Sequence, residues 1–108
     1  KKLKNVTIGC YGISYKPNID DLRESPALKI TQKIAKQHPG KVIVFEPNIK
    51  ILPKMLKNKN LYLKPFSKKR SSTNIAVLLV DHREFKNINI LASKKIDTRG
   101  IWNKQISY

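Results

Sequence analysis

One cysteine and two histidines are the whole supply of thiol and imidazole in this chain of 108 residues. A single thiol, Cys10, excludes an internal disulfide and suits a reducing compartment. None of the three residues stands at ligand spacing, so a metal site is not expected. Glycine is also scarce, with four residues in all. Neither Gly-x-Gly-x-x-Gly nor Gly-x-x-x-x-Gly-Lys-Ser/Thr occurs, which removes both standard phosphate-cradling loops, and Gly9-x-x-Gly12 is too short for either. No apolar run approaches the ~20 residues needed to cross a bilayer. The start, Lys1 to Asn5, is basic, but the apolar stretch behind it is too short for a signal peptide, so a cytoplasmic protein without a membrane partner is expected. The chain opens without methionine and enters an apolar strand pattern almost at once, as expected of a piece of a longer protein.

Acidic residues are the last shortage: 7 Asp+Glu face 23 Lys+Arg, for a formal charge of +16. Such an excess points to an anionic partner, whether nucleic acid, a membrane surface or phosphorylated small molecules. The plain alternative is a lysine-rich solubilising surface. Between Pro47 and Val80 there is no acid, while Lys50, Lys54, Lys57, Lys59, Lys64, Lys68, Lys69 and Arg70 are basic.

What is present is an alternation of strand and helix patterns. Val6 to Cys10 reads as a buried strand, and Gly12 follows where a turn or a close backbone approach needs it. The Lys16-Pro17 pair bars helix at Lys16, and Asn18 to Glu24 reads as loop. Ser25-Pro26 is a helix start, a hydroxyl N-cap followed by proline at the first helical position. Ala27, Leu28, Ile30, Ile34 and Ala35 then form one apolar face through about Gln37. His38-Pro39-Gly40 stops the helix, with His38 a solvated residue favoured by the helix dipole. Lys41 to Phe45 is the second strand. Ile49, Ile51, Leu52, Met55 and Leu56 suggest a short helix, and Leu61 to Leu63 a short edge strand. Asn74 to Val80 suits a central parallel strand. Phe85 to Leu91 is ambiguous, with a turn of helix one reading, and Lys95 to Gly100 carries a weak last strand. The pattern predicts a single α/β domain, three-layered and Rossmann-like, with a mostly parallel sheet.

Polar residues between the first strand and its helix occupy the place where parallel α/β proteins keep ligands. Lys16, held by Pro17 at the carboxyl end of the strand, can meet a phosphate as a point charge. Arg99, after the last strand, can offer a bidentate fork to a second anionic group. An ordinary surface role is the alternative for both. Asp20 and Asp21, next to Arg23, order the loop rather than serve as an acid–base pair. Cys10 lies within a strand with no neighbouring base, which is inert packing rather than a nucleophile.

The stretch from Gly12 through Lys16, Pro17, Asp20, Asp21, Arg23, Glu24 and Ser25 to Ala27 resembles a signature of the UDP-glucose/GDP-mannose dehydrogenase family. That signature reads Gly-Leu-Ala-Phe-Lys-Pro…Asp-Asp-x-Arg-Glu-Ser-Pro and opens the family's C-terminal domain. The likeness continues through Phe45 to Ile49, through Leu79 to His82 with Phe85 behind, and through Asp97 to Trp102. The basic middle matches least.

The resemblance implies that residues 1–108 are a single C-terminal UDP-sugar-binding domain, with the NAD-binding and central domains outside this sequence. It implies that Tyr15 and Lys16 contact the UDP-sugar, that Arg99 contacts the substrate, and that Arg23 reaches toward NAD held by another domain. Family members oxidise a sugar C6 alcohol to a carboxylate in two NAD-dependent steps, the second through a cysteine thioester. That cysteine and the glycine-rich NAD loop lie upstream in the family, and Cys10 falls in the wrong motif to replace the nucleophile. The resemblance therefore implies no catalytic residue in this chain and no turnover by it alone. It also implies a homodimer or larger assembly for the whole enzyme. The Glu46-Pro47-Asn48-Ile49 ending of the second strand is similar to members acting on UDP-N-acetyl-D-mannosamine in surface-polysaccharide synthesis. UDP-glucose enzymes more often carry Tyr-Asp-Pro there. UDP-glucose and UDP-N-acetylglucosamine remain alternative substrates. A basic nucleic-acid-binding module is the rival from another class, but few aromatics interleave with the basic residues and nucleic acid is not the expected partner. A degenerate scaffold domain is the third reading.

Overall fold

The structure is a computed structural model and describes residues 3–16, 22–64, 71–86 and 90–101. Four apolar or β-branched segments and one lysine-rich segment build a five-stranded parallel sheet: β1 (Ile8–Tyr11), β2 (Val42–Phe45), β3 (Leu61–Lys64), β5 (Ile75–Leu78) and β7 (Lys94–Asp97). Their order is β3-β2-β1-β5-β7. Ile8 lies opposite Val42 and Ile75, and Tyr11 opposite Phe45 and Leu78. Two short strands, β4 (Ser71–Ser72) and β6 (Ile90–Leu91), form a separate parallel pair.

Alternation along each strand divides the core in two. Cys10, Val44 and Val77 join the cluster on the side of α1 (Pro26–Gln37), together with Ala27, Leu28, Ala35 and Leu56. Tyr11, Phe45 and Leu78 join the other, closed by Phe85 with Ala92 and Ile101 against it. There the Tyr11 ring stacks on Phe45 at 4.6 Å and meets Phe85 edge-on at 5.4 Å. The layers are thus helix and Lys54–Leu56 turn, sheet, and the turn that carries Phe85, in agreement with the α/β expectation.

Ser25 caps α1 as its sequence requires: its hydroxyl accepts from the Leu28 N–H at 3.1 Å, and Pro26 is the first helical residue. The buried face, however, is Ala27, Leu28, Thr31 and Ala35, while Ile30 is 43% exposed. Thr31 fits because its hydroxyl donates to the Ala27 carbonyl at 2.9 Å, which satisfies its one polar group within the helix. Ile30 falls on the flank of that stripe at 3.6 residues per turn.

Three further readings need correction. The apolar positions from Ile49 to Leu56 yield only a 3-10 turn at Lys54–Leu56, because Pro53 bars the α region for the residue before it. His38 is not simply solvated: it is the C-cap, and its ring nitrogen lies 2.6 Å from the Val6 carbonyl, tying the end of the helix to the entrance of β1. The first strand starts at Ile8 rather than Val6 and runs to Tyr11.

The sheet edges are β3 and β7. β7 exposes Lys94, Lys95 and Ile96, and lysines on an edge strand discourage pairing with another chain. From β1, the chain builds the sheet outward through β2 and β3 on one side, then through β5 and β7 on the other. The order therefore reverses between β1 and β5, and parallel sheets of this kind bind ligands outside their carboxyl ends at such a point.

Candidate functional site

Gly12 brings the two sides of that switch point together. Its φ is +96°, and a Cβ there would lie 2.6 Å from the Val80 Cβ, so only glycine lets the backbone after β1 pass this close to the end of β5. The Tyr11 carbonyl accepts from the N–H groups of Leu79 and Val80 at 3.0 and 3.2 Å. The Gly12 N–H donates to the Phe45 carbonyl on the β2 side.

From this junction the chain rises to Tyr15 and Lys16, both exposed, with the Lys16 ammonium 5.7 Å from the centre of the Tyr15 ring. Arg99 follows β7 at the same edge. Asp97 accepts from the N–H groups of Arg99 and Gly100, a tight turn that suits the positive φ of Gly100. The Arg99 Nε donates to the Leu79 carbonyl at 3.2 Å, which anchors the guanidinium beside the end of β5. Tyr15 and Lys16 thus meet each other, while the hydrogen bonds of Arg99 among the described residues go to Leu79 and Asp97. Arg23 is exposed in the turn before α1, next to Glu24 at φ 53°. Pro17, Asp20, Asp21 and Trp102 lie outside the described residues.

Beneath the exposed residues is a buried polar cluster to which sequence reasoning gave no role. Glu46 is 2% exposed and His82 is fully buried. Glu46 Oε1 accepts from the Ile13 N–H at 2.9 Å, the Ser14 N–H at 3.3 Å and His82 Nε2 at 2.9 Å. Oε2 accepts from the Asn48 backbone N–H at 3.0 Å and side-chain amide at 3.2 Å. Burial would push the Glu46 carboxyl up, but the hydrogen bonds from His82, Ile13 and Asn48 outweigh it and hold the group below its ordinary value. The only signal in the sequence was a glutamate directly after one strongly apolar run and a histidine two residues past the end of another, where a polar residue must find a partner or face water.

Ser14, His82 and Glu46 have the composition of a hydrolytic triad, but not its geometry. Ser14 Oγ and Glu46 Oε1 approach the same imidazole nitrogen, at 3.2 and 2.9 Å, whereas a triad uses opposite nitrogens. Ser14 also donates its proton to the Lys16 carbonyl at 2.7 Å and is fully buried. No substrate carbon can reach it. Cys10 is likewise sealed, its thiol pushed up to about 12 by burial against the smaller opposing effect of a hydrogen bond with Thr31. Among the described residues no group of His, Cys, Asp and Glu could hold a metal ion, and no helix is long and apolar enough to cross a membrane.

A parallel α/β sheet whose strand order reverses between β1 and β5 belongs to the class that places ligands outside its carboxyl edge, the edge where Lys16 and Arg99 follow β1 and β7. Comparison with known proteins makes this specific. The model of the UDP-glucose/GDP-mannose dehydrogenase family, UDP binding domain, matches residues 9–104. The chain belongs to that family. It is 45% identical over 105 residues to the UDP-N-acetyl-D-mannosamine dehydrogenase of Salmonella typhi, a match that covers 94% of this chain and 25% of the relative. It is 42% identical over 106 residues to the NDP-N-acetyl-D-galactosaminuronic acid dehydrogenase of Ralstonia nicotianae, covering 95% and 25%. The chain therefore spans about a quarter of the length of these relatives. Among solved structures, the UDP-N-acetyl-mannosamine dehydrogenase from S. aureus shares the fold with a TM-score of 0.64 at 22% identity, over 92% of this chain and 23% of that one.

Proposed function

We propose that this chain is the C-terminal UDP-sugar-binding domain of an NAD-dependent nucleotide-sugar 6-dehydrogenase that acts on UDP-N-acetyl-D-mannosamine. The product would be the corresponding uronate, for surface polysaccharide. The observation that carries the reading is the loop from Gly12 to Lys16, which leaves β1 at the switch point and offers Tyr15 and Lys16 to solvent. In this reading Lys16 meets the diphosphate as a point charge, Tyr15 supplies an aromatic surface beside it, and Arg99 meets the substrate from the far side of β5. The likeness to UDP-N-acetyl-D-mannosamine dehydrogenases over 94% of the chain supports this choice of sugar.

NAD fits this chain poorly. A dinucleotide pyrophosphate is held by a glycine-rich turn between a strand and its helix, whereas the link from β1 to α1 carries glycine only at Gly12. The cofactor would be held by another part of the enzyme, with Arg23 reaching toward it, and no oxidation step is assigned to these residues. The whole enzyme would be a cytoplasmic homodimer or larger assembly.

Calorimetric titration with UDP at low and moderate salt, beside a random DNA duplex, tests the reading. UDP heat should survive the added salt and weaken about tenfold in Lys16→Ala, the size of one lost charge-assisted contact. DNA binding that falls steeply with salt, without UDP binding, would overturn the reading in favour of a basic nucleic-acid module.

A further inference from the structure

The buried carboxylate of Glu46 joins the segments that follow three different strands. Glu46 itself and Asn48 follow β2, Ile13 and Ser14 follow β1, and His82 follows β5. All five of its donors lie on those segments, and the longest bond is 3.3 Å. Ile13 is gripped on both sides of its peptide, its N–H by Glu46 and its carbonyl by the Ser25 hydroxyl at 2.7 Å. Ser14 is gripped at its N–H by Glu46, and its hydroxyl, within 3.2 Å of His82 Nε2, holds the Lys16 carbonyl. Every backbone group thus fixed lies within three residues of Tyr15 and Lys16, whose side chains have no comparable restraint among the described residues.

We propose that Glu46, working with His82, is the positioning residue that sets the Tyr15-Lys16 segment for the diphosphate of a UDP-sugar, and that ligand affinity depends on it although it touches no ligand. The proposal rests on the UDP-binding reading above. A neutral amide at position 46 retains one carbonyl oxygen but replaces the other oxygen with a donor. It can then satisfy the Ile13 and Ser14 amides and His82, or Asn48, but not both sets. A glutamine at position 82 still offers an N–H toward Glu46 and preserves more of the arrangement.

The test compares the wild-type chain with Glu46→Gln and His82→Gln by amide NMR and UDP titration, below the unfolding temperature of each. In Glu46→Gln the Ile13, Ser14, Tyr15 and Lys16 resonances should move and the Kd for UDP should rise about tenfold. In His82→Gln both effects should be smaller. A residue needed only for stability would lower the unfolding temperature and leave the Kd of the folded protein unchanged, which would overturn the proposal. Still Tyr15 and Lys16 resonances in Glu46→Gln would overturn it as well. Wild-type protein that ignores UDP would defeat the UDP-binding reading and with it the ligand half of this proposal, whereas the resonances would separately decide whether Glu46 sets the loop.

Discussion

Two sets of polar residues share the carboxyl edge of the sheet and behave in opposite ways. Glu46 and His82 are buried and hydrogen-bonded to one another, and Glu46 to backbone, whereas Tyr15 and Lys16, which directly follow the Ser14 that Glu46 holds, are exposed. A buried carboxylate is tolerable only with its donors in place, so it dictates where the surrounding backbone lies. An exposed ammonium dictates nothing about the fold and keeps its hydrogen-bonding capacity for a ligand. In the proposed reading the inner pair serves geometry and the outer pair serves contact.

Replacing each member in turn sharpens the contrast. The largest effect on stability belongs to Glu46→Ala, which strands the Ile13 and Ser14 amides and His82 in a buried site. A loss of about 3 kcal/mol or more is expected in denaturant unfolding, since each buried donor left without its acceptor costs about 1–3 kcal/mol. The pH dependence follows the same logic. Because the folded value of Glu46 lies below its ordinary one, the unfolded state binds more protons between the two. The contribution of Glu46 is therefore complete above the ordinary glutamate value and disappears as pH falls through the folded value. Glu46→Gln should flatten that acid limb, and an unchanged limb would show that the carboxylate is not held as described.

Gly12→Ala comes next. The positive φ and the 2.6 Å approach to Val80 both oppose a side chain, and a loss of about 2 kcal/mol or more is expected from unfolding curves. A neutral result would mean that β1 and β5 separate more easily than this geometry allows. The smallest effect belongs to Lys16→Ala, which should change stability by less than about 0.5 kcal/mol, as surface substitutions do, while it weakens UDP binding. Lys16→Ala that destabilised the fold as much as Glu46→Ala would erase the distinction between the two sets.

Local chemistry made much of the fold legible. Ser25-Pro26 fixed the start of the helix, and the apolar runs from Lys41 to Phe45 and from Asn74 to Val80 announced strands, the second of them a central one, which end up shorter at Val42–Phe45 and Ile75–Leu78. Failures came where one residue overrode a pattern: Pro53 against the apolar spacing from Ile49 to Leu56, and Thr31 in place of Ile30 on the buried face. The exposed part of the candidate site could be read because Lys16 and Arg99 are polar residues that the strand pattern does not require. The Glu46–His82 pair could not, since its partners lie 36 residues apart and meet only when β2 and β5 flank β1. Strand order is a tertiary fact, and no local periodicity encodes it.

The most direct test of the central claim, that the switch-point edge is where a uridine nucleotide binds, is a map of amide resonances during UDP titration of the ¹⁵N-labelled chain. Shifts concentrated at Tyr15, Lys16 and Arg99, with Lys54, Lys57 and Lys59 unmoved, are the expected result. Shifts confined to those lysines, or spread evenly over the basic surface, would contradict it and leave only the attraction of a highly charged protein for any anion.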